Sequence, residues 1–152
     1  MDPKQLEWLE KELASSGSDW KICFFHHPLY SSGGAHGSNL QLREQLEPLF
    51  LKYGVDAVFA GHEHFYERIK PQKGIYYFIS GGAAKLREGD VGKSEFTAKS
   101  FDTGYHFMLV ELGKTALNFQ VISDQGRTVD AAALPRFSDA DKKKMAALPT
   151  TR

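Results

Sequence analysis

Two short apolar runs, each ending directly in histidine, constrain this chain more than any other feature. WKICFF (residues 20–25) opens into HHPLYSSGG, and VDAVFA (residues 55–60) opens into GHEHFYER. Runs that are apolar throughout, rather than alternating, suit strands buried on both faces of a parallel sheet. The segment between them, LQLREQLEPLFLKYG, has helical spacing. Leu42, Leu46, Leu49 and Phe50 share a face, Ser38 or Asn39 can cap it, and Gly54 can end it. Pro48 falls inside that pattern and predicts a kink or a separate final turn. Strand, helix, strand is a parallel crossover, and in such sheets ligands gather beyond the carboxyl ends of the strands. Both histidine groups sit there.

The flanking segments complete an α/β fold. DPKQLEWLEKELASSG reads as a helix, with Asp2 to cap it, Pro3 in its first turn, Gly17 to stop it and a stripe of Leu6, Leu9 and Leu13. GIYYFISGG (residues 74–82) is a third strand. Residues 83–103 are polar and long for a loop, a size that is usually either functional or disordered. YHFMLVEL and TALNFQVI predict an antiparallel hairpin turning at Gly113 and Lys114, and SDQGRTVD a further turn with a short edge strand. The expected architecture is a mixed sheet, parallel strands plus a C-terminal antiparallel hairpin, with flanking helices. Residues 1–130 form the domain and residues 131–152 a loosely ordered tail.

Nineteen basic and nineteen acidic side chains cancel, which argues against general nucleic-acid or anionic-membrane binding. No apolar run reaches membrane-spanning length. The first residues, MDPKQLEWLE, lack the regions of a signal peptide, so cytoplasm is the default localisation. Cys23, the lone cysteine, lies in an apolar run and predicts a buried thiol.

Of six histidines, all but His106 fall between His26 and His64. If the two histidine-tipped strands are neighbours, their loops emerge side by side. In an extended segment residues i and i+2 face the same way, and Gly61 lets the chain turn, so His62 and His64 can join His26 around one metal ion. A lone His-x-His is as readily a pair of polar loop residues, but its placement after consecutive strands turns the reading to metal. His27 neighbours His26 and should point the other way, leaving it a supporting part in catalysis or in packing. His36, in a glycine-rich loop, is a candidate general acid. Arg68 is a candidate for holding a phosphate oxygen and Tyr30 for lining the pocket, each with a plainly structural alternative. Glu63 and Asp90 are possible additional metal ligands. His106 reads as structural.

KICFFHHPLYSSG, GVDAVFAGHEHFYER and YFISGGAAKLREGD together resemble the C-terminal half of calcineurin-like metallophosphoesterases, in particular the purple acid phosphatase branch. The resemblance implies half of a metallophosphoesterase αββα sandwich and hydrolysis of phosphoesters by metal-bound hydroxide at a centre of zinc, manganese or iron. It further implies that His26 and His62 share one metal, that His64 binds the other, and that His36 helps with the leaving group or substrate phosphate. Cys23 stands where valine is usual. The family's first half should supply an aspartate-bearing motif, a Gly-Asp block and a Gly-Asn-His-Asp/Glu block, and neither block occurs in the 25 residues before His26. GDVG at residues 89–92 looks like one such block on the wrong side of the motif. The expectation is therefore a truncated centre with one sheet face uncovered, and a homodimer formed through that face. The alternatives are an inactive zinc-binding half-domain and one half of an enzyme completed by another chain.

Overall fold

Asp2 accepts the Lys4 amide at 2.9 Å and caps α1 (Pro3–Ser15), whose Leu13 is buried against the sheet. The computed structural model describes residues 1–17 and 20–147. The first apolar run forms β1 (Ile22–Phe25), and the chain crosses over through α2 (Leu40–Tyr53) to β2 (Ala57–Ala60). Asn39 caps α2 by accepting the Leu42 amide, and Gly54 ends it in the left-handed conformation at φ 71°. β1 and β2 pair in parallel with Phe25 opposite Ala60, so both strands run out at the same level. That register puts the two histidine groups side by side.

Pro48 neither kinks nor splits α2, which is continuous through it. Leu46 and Phe50, on either side, are each 1% exposed in the core under the sheet. Their burial, ~1.5–3 kcal/mol for each side chain, matches or exceeds the ~3 kcal/mol that an interior proline costs a helix.

The sheet is larger than the sequence pattern suggests. β4 (Ile75–Ser80) continues it in parallel beside β2. β3 (Tyr66–Gln72) then runs antiparallel between β4 and β5 (Thr97–Phe101), giving the order β1-β2-β4-β3-β5. Neither β3 nor β5 is expected from the sequence. Lys73 and Gly74 connect Gln72 to its partner Ile75 with φ of 51° and 82°, a two-residue hairpin turn of the left-handed kind. Lysine is a rare choice at that first position. β5 lies within the long polar segment, where an edge strand needs no apolar alternation.

A second, antiparallel sheet follows, β6 (His106–Leu112), β7 (Ala116–Ser123) and β8 (Thr128–Pro135). Leu117, Phe119 and Val121 point inward from β7 and meet Ala57, Tyr66, Tyr76 and Phe78 of the first sheet. The chain thus supplies its own second layer, and the sheet face expected to be bare is covered. What stays open is one side of the sandwich, where the edge strands β1 and β6 lie. Phe24 is 74% exposed there and stacks on Phe59, which stacks on Phe78.

Of residues 131–152, expected to be loosely ordered, 131–135 complete β8 and Asp139–Ala146 form α3, while 148–152 lie outside the described residues. Lys142 reaches under the sheet to Asp56 Oδ1 at 2.6 Å and the Gly54 carbonyl at 2.8 Å, while Arg136 Nε meets the same carboxylate at 3.2 Å. Asp56 is 2% exposed, and burying a carboxylate there is costly without such partners. Among the described residues no helix is long and apolar enough to cross a membrane.

Candidate metal centre

Four imidazoles converge where β1 and β2 end. His26 and His27 follow β1 directly, and the chain bends at both before Pro28. Gly61 and His62 follow β2. His62 takes φ 67°, a left-handed conformation uncommon for a residue with a side chain, and the turn closes with the Glu63 amide donating to the Gly61 carbonyl at 2.8 Å. That turn swings the imidazole back over β1. His62 Nδ1 lies 3.1 Å from His26 Nε2. The His27 ring centroid is 4.4 Å from that of His62 and 4.9 Å from that of His26. The His36 ring, brought in by the loop after β1, is also 4.4 Å from His62.

One nitrogen from each of His26, His27 and His62 falls within 4.8 Å of the other two. A tetrahedral zinc with bonds of roughly 2.0–2.1 Å spaces its ligands by roughly 3.3 Å. The His26–His62 nitrogen pair, 3.1 Å apart, is already near that spacing, and neutral imidazole is an apt donor for such an ion. The residues present therefore fit one cation held by three histidines, with room for a further ligand on the exposed side.

The group of mutually close nitrogens is not the set the spacing suggested. It includes His27, because the bend after β1 breaks the alternation that would have turned that ring away. It leaves out His64, because the left-handed turn at His62 ends the extended geometry on which the i, i+2 argument rests. The His64 Nδ1 is buried without a hydrogen-bond partner, and its carbonyl accepts the Arg87 amide.

The other candidates are placed mostly away from this point. Tyr30 is 1% exposed, packed on Tyr77 and Phe96 with its hydroxyl donating to Glu47, so it is a core residue. Arg68 is committed to Asp130, with Nε to Oδ2 at 2.8 Å, and lies over the Phe119 ring between the two sheets. Glu63 is fully buried, and Asp90 accepts the Ala35 amide at 2.8 Å; both hold the His36 loop, and neither joins the group of mutually close donors. His106 is buried beneath Gly82 with Nδ1 3.3 Å from the Gly104 carbonyl, as a structural histidine would be.

Burial holds the His62 pKa below the ordinary imidazole value, with the neighbouring His27, His36 and His26 and then Arg87 adding to the effect. A neutral ring is the form that binds a metal ion. Arg87 was not singled out by the sequence. Its Nη1 lies 3.8 Å from Glu63 Oε2 and 3.5 Å from Asp90 Oδ2, and it brings a positive charge to the cluster. The run KLREGD gives no sign of this; only the return of the long segment over the sheet edge does.

The fold is a mixed sheet facing an antiparallel one, with histidines at the ends of neighbouring parallel strands. A model of the calcineurin-like phosphoesterase family matches residues 1–66. The tartrate-resistant acid phosphatase type 5 of Rattus norvegicus is 30% identical over 139 residues, 87% of this chain and 42% of that protein. An acid phosphatase of Aspergillus ficuum is 47% identical across 86% of this chain and 26% of its own length. Purple acid phosphatase PPD1 from yellow lupin, Lupinus luteus, superposes with a TM-score of 0.80 at 25% identity, over 99% of this chain and 32% of that one. The chain is similar to the calcineurin-like phosphoesterases over its first 66 residues and to purple acid phosphatases over most of its length. It spans about two-fifths of the rat relative's length and less of the other two.

Proposed function

We propose that this chain forms a metal-dependent centre for phosphoester hydrolysis in which His26, His27 and His62 hold one ion. The observation that carries this reading is the convergence of their nitrogens to within 4.8 Å. Zinc, manganese and iron are the candidate ions; one relative, from Arabidopsis thaliana, is named an Fe(3+)-Zn(2+) purple acid phosphatase. When bound, such an ion supplies a water acidified toward neutral pH and a positive charge for phosphate oxygens. His36, beside His62, is exposed and able to hand a proton to a departing alkoxide. Arg87, one-third exposed, offers a cation at the rim for a phosphate oxygen. Phosphodiesters and activated phosphomonoesters are the expected substrates. The test is hydrolysis of chromogenic esters of both kinds, with and without chelator, beside metal analysis of the purified protein. His62→Ala should lose both metal and turnover, and unchanged activity in that variant rejects the reading.

A second reading concerns assembly. The exposed Phe24 and Leu112 line a cleft of about 950 Å³ between β1 and β6 that opens beside His26. Paired edges and a covered cleft would result if two copies met there about a twofold axis. Light scattering of wild type and Phe24→Asp tests it: a dimer that becomes monomeric supports the pairing, and a wild-type monomer at high concentration removes it.

A further inference from the structure

We propose that Glu63, between the two histidines of the GHEH run, is a positioning residue. It moulds the loop of residues 31–38 around its carboxylate and so sets His36 against His62. This deepens the proposed function, on whose histidine site it rests. Glu63 is 0% exposed, and a carboxylate out of water costs several kcal/mol unless partners replace the lost hydration. Its partners come from that loop. Oε1 accepts the Gly37 amide at 2.9 Å and the Ser31 hydroxyl at 3.3 Å. Ser31 Oγ in turn accepts the Gly33 amide at 3.0 Å. The Ser31 amide donates to Ser38 Oγ, and that hydroxyl returns a bond to the Ser31 carbonyl, which closes the loop on itself.

The fit leaves no room for a side chain on the covering strand of the loop. A Cβ at Gly33 would lie 2.6 Å from Glu63 Oε1 and 2.8 Å from Cδ. Gly37 has φ 71°, which turns the chain immediately after His36. The Gly37–Glu63 bond is thus one residue along from the His36–His62 ring contact in both segments. Fixing the first fixes the second. Glu63 Oε2 accepts no hydrogen bond and faces Arg87 Nη1 at 3.8 Å, so the same carboxylate draws the rim cation toward the cluster. Glu67, which accepts the Ser32 amide at 2.9 Å, holds the loop further back, while Asp90 accepts the amide of Ala35, just before His36. Glu63 holds the residue just after it.

The test is hydrogen exchange of the Gly37 amide by NMR, in Glu63→Ala, Glu63→Gln and Gly33→Ala, together with a double-mutant cycle on turnover. Glu63→Ala should speed Gly37 exchange about 10–100-fold, since a buried donor loses its acceptor. Glu63→Gln, which keeps an acceptor oxygen, should restore it to within about threefold. His36→Asn should then cost much less turnover in the Glu63→Ala background than in the wild type, while zinc still binds with unchanged stoichiometry. Unchanged Gly37 exchange in Glu63→Ala, or full additivity with His36→Asn, overturns the proposal. If Glu63→Ala does not fold, Gly33→Ala carries the test with the carboxylate intact; it should speed the same amide, and wild-type exchange there overturns the proposal equally. A wild type without zinc or turnover would sink the proposed function, while the exchange measurements would still decide the clamp.

Discussion

Replacing Arg68 with alanine separates a strut between the sheets from a phosphate ligand. The guanidinium meets Asp130 through Nε at 2.8 Å and through Nη2 at 3.3 Å, with the two side chains 22% and 10% exposed. Tyr66 donates to the same carboxylate at 2.8 Å, and the Arg68 Cζ lies 5.6 Å from the centre of the Phe119 ring. Removing Arg68 leaves Asp130 with the tyrosine hydroxyl alone in a mostly dry seam between β3 and β8. Breaking a buried pair by deleting one partner costs ~3–5 kcal/mol, and the residual exposure of Arg68 places this case near ~3 kcal/mol. At ~2–4 °C per kcal/mol for a domain of this size, the melting temperature should fall by ~6–12 °C. Asp130→Asn should fall by a comparable amount. Thermal melts by circular dichroism measure the loss, and inhibition by inorganic phosphate measures the other role. Inhibition should be unaltered at a temperature where the variant is folded. A melting temperature within 2 °C of wild type, with phosphate bound about tenfold more weakly, would refute the strut and return Arg68 to the site.

Stability should also depend on pH through His62 and His106. Burial holds both below the ordinary value of 6.5. The unfolded chain therefore takes up protons that the folded chain refuses, so stability is complete above about pH 6.5 and declines as pH falls toward the folded pKa values. In chelator, the urea midpoint should drop between pH 7.5 and 5.5, and His106→Gln should remove part of the slope; a midpoint that rises on acidification would contradict this. Burial also pushes the Cys23 thiol up to about 11. Iodoacetamide at neutral pH should label it about 100-fold more slowly in the folded protein than in urea, and equal rates would show an exposed thiolate.

Much of this fold is legible in the sequence because its strongest signals are local. Asp2, Asn39 and Gly54 bound their helices as their side chains dictate, and apolar runs at residues 20–25 and 55–60 contain neighbouring parallel strands. β3 was hidden because YERIKPQ mixes charge with apolar residues; its charges are absorbed by Asp130 and by the loop bonded to Glu67, which are distant in sequence. Pro48 misleads because tertiary burial at Leu46 and Phe50 overrides a local preference. The site was legible as a place but not as a ligand set. That histidines cluster at the strand ends follows from spacing, whereas the closeness of His27, rather than His64, to the other two depends on one left-handed residue and one bend, neither of which leaves a mark in residue type. The roles of Glu63 and Asp90 were hidden for the same reason, since only the folded loop shows that one oxygen of each is spent on an amide.

The central claim is that His27, rather than His64, completes the metal-binding trio with His26 and His62. Zinc titration by calorimetry on wild type, His27→Asn and His64→Asn tests it directly. One zinc per chain should bind in the wild type and in His64→Asn, with His27→Asn weakened at least tenfold. Loss of zinc in His64→Asn, with wild-type binding in His27→Asn, would contradict it.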